Sequence, residues 1–395
     1  MQPSLPYLTR LITPMRTTSL ILLLTVSLLL ALSVTMLSSA VMLKSSFQST
    51  MSTQVIAIVG GLVIMRLLWR SNYLRFASLH WWFYGLTLVV LILVLSPLGT
   101  TQNGAQRWLF STQPGEFAKI PLLLTLAAWG SQHQARIRFG RPLTRFLWGL
   151  VYPSLIILPL LGLLYKQPDR GTMILFGTVT VIVLLLSGMR LAYVTLPLIL
   201  GFLLGVHFYN SSEMVRRRAT AYLHPELYKE TTGAQTLKSL AALREGGISG
   251  VGLGAGVIKH SIPEQQTDFI LPVIGEEMGL RFTLAIVLAF VIILLCAAHI
   301  ASRSTDLLGR LLAGGIGFLI AGQATINIAV VTNSIINKGM PLPFVSKGGS
   351  CMITMLALIG LLLSIARQTT DEPTPTSGKR SNPFNGPDLE TLPTR

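Results

Sequence analysis

Apolar runs of roughly 18 to 25 residues recur along most of this sequence, and each is long enough to cross a hydrocarbon core about 30 Å thick. Ten can be drawn, at about 18–42, 52–69, 80–99, 114–131, 146–165, 171–189, 191–209, 268–299, 309–333 and 347–368. A mean hydropathy of +0.62, with 51% hydrophobic residues over 395 positions, exceeds what one water-soluble core needs. The expected fold is an all-α polytopic integral membrane protein with about ten transmembrane helices and a large extracytoplasmic loop between helices 7 and 8. The first run is too long for a removed signal peptide and lacks its small-residue cleavage site, so it reads as an anchor.

A formal net charge of +16 would suggest nucleic acid in a soluble protein, but here the placement of the cations accounts for the excess, and no nucleic-acid partner is expected. With an even number of spans both termini share a compartment. That side holds Arg10, Arg16, Arg66, Arg70, Arg75, Arg136, Arg138, Arg141, Arg145, Arg190, Arg303 and Arg310. The short loops opposite hold only Lys44, Arg107, Lys166, Arg170, Lys338 and Lys347. The positive-inside rule therefore predicts cytoplasmic termini. The chain divides into a cytoplasmic segment 1–17, a membrane domain 18–368 and a tail 369–395 too poor in large apolar residues to order itself.

The loop at about 210–267 is far longer than a connection requires. Within it, Glu213 to Leu223 can form an amphipathic helix on the membrane surface, or a solvated basic face, and Gln235 to Leu243 a second helix. Cys296 and Cys351 fall inside predicted helices without metal-ligand spacing and read as packing residues. The six histidines show no pair at ligand spacing and are assigned no chemistry.

Only 15 acids are present, and most lie in the tail or loops. Glu116, Asp169, Glu264 and Asp268 remain near the outer ends of predicted helices, and Glu276 and Glu277 some two turns into the eighth span, where ionisable groups are costly and could face one outward-opening cavity. Glu116 and Lys119, three apart on one helix, are spaced to neutralise each other. Asp169 is placed to cap a helix, and Glu276 and Glu277 to pair with Arg281. The run Lys338 to Ser350, with Pro341, Pro343, Gly348 and Gly349, breaks helices and is expected to fold into the cavity.

The loop motifs are specific. Pro263-Glu264-Gln265-Gln266-Thr267-Asp268-Phe269-Ile270 is followed by Gly275-Glu276-Glu277-Met278-Gly279 and preceded by the glycine run from Gly246 to Gly254. Upstream stand Asn103-Gly104-Ala105-Gln106-Arg107-Trp108, Gln113-Pro114-Gly115-Glu116-Phe117-Ala118-Lys119 and Gln167-Pro168-Asp169-Arg170-Gly171-Thr172, and downstream Lys338 to Ser350. In this order, over about residues 15 to 368, they resemble the SEDS family of cell-wall glycan polymerases (shape, elongation, division and sporulation). Gly115, Arg170, Asn337-Lys338 and Lys347 depart from the family's usual residues. Arg216-Arg217-Arg218 leading to His224-Pro225-Glu226, and Gly252-Leu253-Gly254-Ala255-Gly256, favour its division-type branch over the elongation-type one. Without a preceding strand or a Walker Lys-Ser, the glycine run reads as a helix breaker, not a phosphate loop.

The resemblance implies a peptidoglycan glycosyltransferase of the bacterial inner membrane that polymerises lipid II, an undecaprenyl-pyrophosphoryl disaccharide-peptide, into β-1,4 glycan strands. Asp268 is then the candidate catalytic base. It could equally hold a divalent cation, Mg or Mn, or cap the eighth helix beside Thr267, and the sequence leaves these open. Arg107, Arg244 and Lys259 are the candidate loop cations for pyrophosphate and Lys119 the buried one, with Glu116, Glu264 and Ser346 completing the substrate-binding set. The expected partners are a class B penicillin-binding transpeptidase and other divisome proteins. A lipid II flippase, or a noncatalytic scaffold for the transpeptidase, would show the same hydropathy.

Overall fold

The computed structural model describes residues 14–42, 45, 47–102, 105–228 and 232–371. The sequence readings that touch Arg10, Lys44, Asn103-Gly104, Glu230 and residues 372–395 lie outside the described residues. The main helices are α1 (Pro14–Val41), α2 (Phe47–Arg70), α3 (His80–Val94), α4 (Lys119–Gln132), α5 (Tyr152–Lys166), α6 (Arg170–Leu186) and α7 (Thr195–Ser211). They continue with α8 (Glu213–Leu223), α9 (Thr232–Gly246), α10 (Ile270–Arg303), α11 (Leu307–Val331) and α12 (Gly349–Asp371).

Each of the ten predicted runs has become a helix, but unequally. Among the described residues, seven helical segments are long and apolar enough to cross a membrane, whereas α3 and α6 have only 15 and 17 residues. At 1.5 Å per residue these are about 22 and 26 Å long, so they span only with help from their flanks. The fourth run is split, a turn of helix at Pro114–Phe117 preceding the 14-residue α4. Helix α12 runs to Asp371, past the predicted start of the tail at 369.

Helix α12 sits at the centre, almost wholly buried, and packs most extensively along α2. A methyl group at Gly61 would collide with Leu356, and one at Gly360 with the Met65 backbone, so glycines allow this close approach. Helix α10 packs on α1, α9 and α11, and α11 on α4 and α6. No residue of α7 is buried, which leaves that helix at the periphery. The second loop helix, α9, leans on α10 instead of the membrane surface, with Ala242 buried and the Ser239 hydroxyl donating 2.7 Å to the Val331 carbonyl of α11.

The all-helical expectation missed one small element. Strands β1 (Gly99–Gln102) and β2 (Ala105–Leu109) form an antiparallel hairpin after α3. The Asn103-Gly104 pair between them is a strong hairpin-turn signal that could have found it.

Helix α10 has 34 residues and is not continuous: Gly279 adopts φ 75°, ψ −175°. The break frees backbone groups that apolar surroundings cannot satisfy. The glycine run satisfies them. Leu280 N donates 2.9 Å to Gly247 O, while Val251 N and Gly252 N donate to Glu276 O and Glu277 O at 2.9 and 3.0 Å. A Cβ at Gly279 would strike the Gly250 nitrogen, and one at Gly250 the Glu277 carbonyl. Gly279→Ala is therefore expected to lose at least about 1–3 kcal/mol from the left-handed conformation alone. Thermal unfolding and limited proteolysis of residues 246–262 check this; unchanged stability and protection would contradict the bracketed kink.

Candidate functional site

Asp268 lies in the turn that enters α10, and its surroundings grip the backbone while leaving the carboxylate alone. The Gln265 amide donates 2.8 Å to Ala40 O on α1, and Lys347 N donates 2.8 Å to Gln266 O. The Ser346 hydroxyl donates 2.5 Å to Thr267 O, and the Asn327 amide donates 2.8 Å to Asp268 O and 2.7 Å to Met340 O. Four consecutive residues are thus pinned from α1, α11 and the 332–348 segment. Within the turn Glu264 has φ 54° and its carbonyl accepts from Thr267 N and Phe269 N.

The Asp268 side chain makes no hydrogen bond or ion pair among the described residues. It does not cap α10: Phe269 occupies the cap position, without a side-chain bond. Capping, the simplest structural role for this aspartate, is thereby removed. The carboxylate is partly buried against Gly339, where a Cβ would touch Oδ2. Burial, then the neighbouring Glu264 carboxylate, pushes its pKa up to about 7, against the opposing pull of Arg107.

Near it stand Arg107 and the carboxylates Glu264, Asp169 and Glu116, and three further cations, Arg170, Arg218 and Lys338, cluster with Arg107. Arg107 on β2 donates from Nε to Gln167 O at 3.0 Å and from Nη2 to Pro168 O, and lies 4.0 Å from Asp169. Arg170, the first residue of α6, has its guanidinium 5.6 Å from the Phe208 ring centre, with Nε buried and lacking an acceptor. The backbones of Gly171 and Gly339 approach closely, which brings Arg170 and Lys338 to the same rim as Asp268. Helix α8 joins through the Tyr222 hydroxyl, 3.2 Å from Ser334 O. Burial lowers the pKa of Lys338, helped by Arg170 and Arg218, and that of Arg218, helped by Arg170 and Arg107. A cluster in which cations depress one another is suited to an anion.

The residues singled out from sequence fall into two groups. Arg107, Glu264 and Asp268 come together. Lys119 is fully buried, its ammonium 2.5 Å from Glu116 and 2.7 Å from the Gln323 carbonyl oxygen, so the pair suggested by spacing is present and neither group is open to a ligand. Asp169 caps α6 through the Thr172 amide and hydroxyl.

Lys259 corrects the sequence reading: it is almost wholly buried and bonded to Glu277, with the Ser39 hydroxyl at 2.8 Å, so no loop cation is available there. Glu276 and Glu277 do not pair with Arg281. Glu276 accepts from the backbone N–H groups of Val257, Ile258 and Lys259 at 2.7–2.8 Å, and Glu277 takes Lys259 and Ser39. Ser346 is buried and spent on the Thr267 carbonyl and the Leu342 amide, which makes it a positioning residue instead of a ligand-binding one. Arg244 is exposed at the end of α9, with no bond to the Asp268 cluster.

The segment from Lys338 does fold inward, burying Met340, Leu342, Phe344 and Val345. Sequence reasoning missed Arg170, Arg218 and Lys338 as a set. Arg170 and Lys338 stood out only as departures from the family's usual residues and Arg218 only within the basic run of the long loop, and nothing in the sequence joined the three.

Known proteins with this arrangement agree with the motif reading. The FtsW/RodA/SpoVE family profile, described as cell cycle protein, matches residues 15–371. A probable peptidoglycan glycosyltransferase FtsW of Trichlorobacter lovleyi is 38% identical over 323 residues, which cover 79% of this chain and 81% of that one. Stage V sporulation protein E of Bacillus subtilis is 35% identical over 284 residues, covering 70% and 76%. A chain from a peptidoglycan synthase complex that coordinates polymerization and crosslinking superimposes with a TM-score of 0.75 at 27% identity, covering 89% of this chain and 98% of that one. The rod shape determining protein RodA of Thermus thermophilus gives a TM-score of 0.65 at 25% identity, covering 88% and 96%. Motifs, helix order and fold lead to one conclusion: this multi-pass membrane protein belongs to the FtsW/RodA/SpoVE family, the SEDS family that its loop motifs resemble.

Proposed function

We propose that the protein is a peptidoglycan glycosyltransferase that polymerises lipid II into β-1,4 glycan strands for septal wall synthesis. It works at the outer face of the bacterial inner membrane, with both termini in the cytoplasm. The observation that carries this reading is Asp268: a carboxylate without a side-chain partner among the described residues, with a pKa near 7, held by a pinned backbone beside Arg107, next to which Arg170, Arg218 and Lys338 cluster.

The reaction needs a base for the attacking hydroxyl and positive charge for the leaving group. Asp268 takes the proton from the sugar 4-hydroxyl as that oxygen bonds to the anomeric carbon of a second lipid II. The anomeric C–O bond breaks, and undecaprenyl pyrophosphate leaves with the electron pair. The four cations hold that pyrophosphate, in place of the buried Lys119 and Lys259. A pKa near 7 serves this role, since the carboxylate is substantially ionised at neutral pH yet basic enough to accept a proton.

No group of three or more His, Cys, Asp or Glu side chains able to hold a metal occurs among the described residues. Asp268 and Glu264 are the two carboxylates that would hold a Mg or Mn ion shared with pyrophosphate oxygens and water, where the ion would take up charge on the leaving group. The partner we propose is a class B penicillin-binding transpeptidase, together with other divisome proteins, in keeping with the synthase-complex fold likeness.

The test is strand formation from labelled lipid II by the purified protein with its transpeptidase, run beside a vesicle assay for lipid II translocation. Polymer without translocation is expected. Translocation without polymer, from folded protein with its partner present, would replace this reading with a transporter.

A further inference from the structure

The end of the bundle opposite Asp268 holds a cavity of about 450 Å³ between α1, α2 and α12. Four arginines line it, Arg16, Arg66, Arg70 and Arg367, together with Trp69, and among the described residues none of its lining is acidic. The Arg66 guanidinium lies 5.0 Å from the Trp69 ring centre. Arg367 donates 2.9 Å to Arg70 O and 3.4 Å to Ser71 O at the end of α2, while its Nε is buried without an acceptor. The remaining wall is apolar, and Leu20 carries it onto the outer surface of α1, where Leu20 and Leu24 are 65% and 63% exposed.

These features specify one kind of ligand. Arg66, Arg70 and Arg367 gathered in one recess favour an anion among them, and a phosphodiester offers the oxygens that Arg pairs with best. Basic recesses between transmembrane helices on the cytoplasmic side suit anionic lipid headgroups, and a Trp at that depth is typical of the membrane interface. The apolar wall running out along α1 calls for a ligand whose acyl chains continue into the bilayer, which free phosphate lacks. The volume lies within the usual range for ligand pockets, about 300–1,000 Å³.

We infer that the cavity formed by Arg16, Arg66, Arg70, Arg367 and Trp69 is a headgroup site for an anionic phospholipid. The site is separate from the Asp268 region and bridges α1, α2 and α12. A lipid bound there joins the two most closely packed helices, α2 and α12, to α1, and so stabilises the folded state in proportion to its occupancy.

The full-length protein in detergent is titrated with phosphatidylglycerol, phosphatidylcholine or inorganic phosphate, following thermal unfolding and lipid retention by native mass spectrometry. Phosphatidylglycerol is expected to raise the unfolding temperature and to be retained, and the other two are not. At roughly fivefold per arginine, Arg66→Gln weakens phosphatidylglycerol binding about fivefold and Arg66→Gln/Arg367→Gln about twenty-five-fold. Arg303→Gln/Arg310→Gln, which removes two arginines at the same membrane end but outside the cavity, leaves it unchanged. The single variant alters an exposed side chain, so it reports even if the double variant does not fold.

Equal responses to phosphatidylglycerol and phosphatidylcholine, or an equal loss in the Arg303/Arg310 variant, would overturn the site. So would an equal effect of inorganic phosphate. An absence of any lipid response in the full chain, as when its own residues after Asp371 fill the cavity, would overturn it as well.

Discussion

Asp268→Asn is expected to lower glycan polymerisation by about 10²–10⁴-fold, the usual contribution of a positioned general base, while leaving the protein folded. The amide keeps the shape of the carboxylate, and nothing structural hangs on the charge, because Asp268 neither caps α10 nor forms an ion pair. Its backbone stays pinned by Asn327, and its neighbours by Ser346 and Lys347. The variant should gain stability under the right conditions. The carboxyl pKa rises from 3.8 to about 7 on folding, so the folded state holds the proton more tightly than the unfolded one. The wild type therefore loses stability as pH rises from near 4 through 7, and Asn, which cannot ionise, does not. The melting temperature of the Asn variant should exceed that of the wild type at about pH 8, and the gap should close toward about pH 4. A variant that is inactive because it is unfolded, or one equally active, would contradict this account.

Lys259→Met is expected to destabilise the protein by about 3–5 kcal/mol, since it leaves the buried Glu277 carboxylate without its partner. Ser39 alone then faces that charge, with oxygen distances of 2.6 and 2.8 Å. Three parts of the structure meet here: α1 through Ser39, the 254–262 loop through Lys259, and the upper part of α10 through Glu277. Glu276 reinforces the junction by accepting three backbone N–H groups from the same loop. Removing both charges in Lys259→Met/Glu277→Leu should recover much of the loss, because a hydrophobic pair costs nothing in desolvation. Thermal unfolding of the two singles and the double forms the cycle. The alternative role, a cation for pyrophosphate, predicts something different: a normally stable Lys259→Met protein with a raised KM for lipid II. That result would return Lys259 to the substrate site.

These cases show how much of the site could be read in one dimension. Hydropathy located the helices because the membrane sets their length, and the spacing of Glu116 and Lys119 announced their pairing because both lie on one helix face. Partners separated in sequence were not legible. Glu277 looked one turn from Arg281, yet the kink at Gly279 turns the two segments apart and the loop delivers Lys259 instead. Arg170, Arg218 and Lys338 come from three separate segments, and only the close approach of Gly171 to Gly339 and the contact of Tyr222 with Ser334 bring them together. Asp268 was found by its motif, but its lack of any partner, which makes it chemically available, is a property of the folded turn alone. The hairpin of β1 and β2 was missed because two short strands carry little weight against the apolar runs that flank them.

The central claim is that an ionised Asp268 acts as the base for strand formation. The most direct test is the rate of glycan polymerisation by the wild-type protein with its transpeptidase, at lipid II well below its KM so that the free enzyme's titration is read, from about pH 5.5 to about pH 8.5. The account predicts a rate that falls about tenfold for each pH step below a midpoint near 7 and levels off above it. A rate that is flat across this range, or that falls as pH rises, would contradict it.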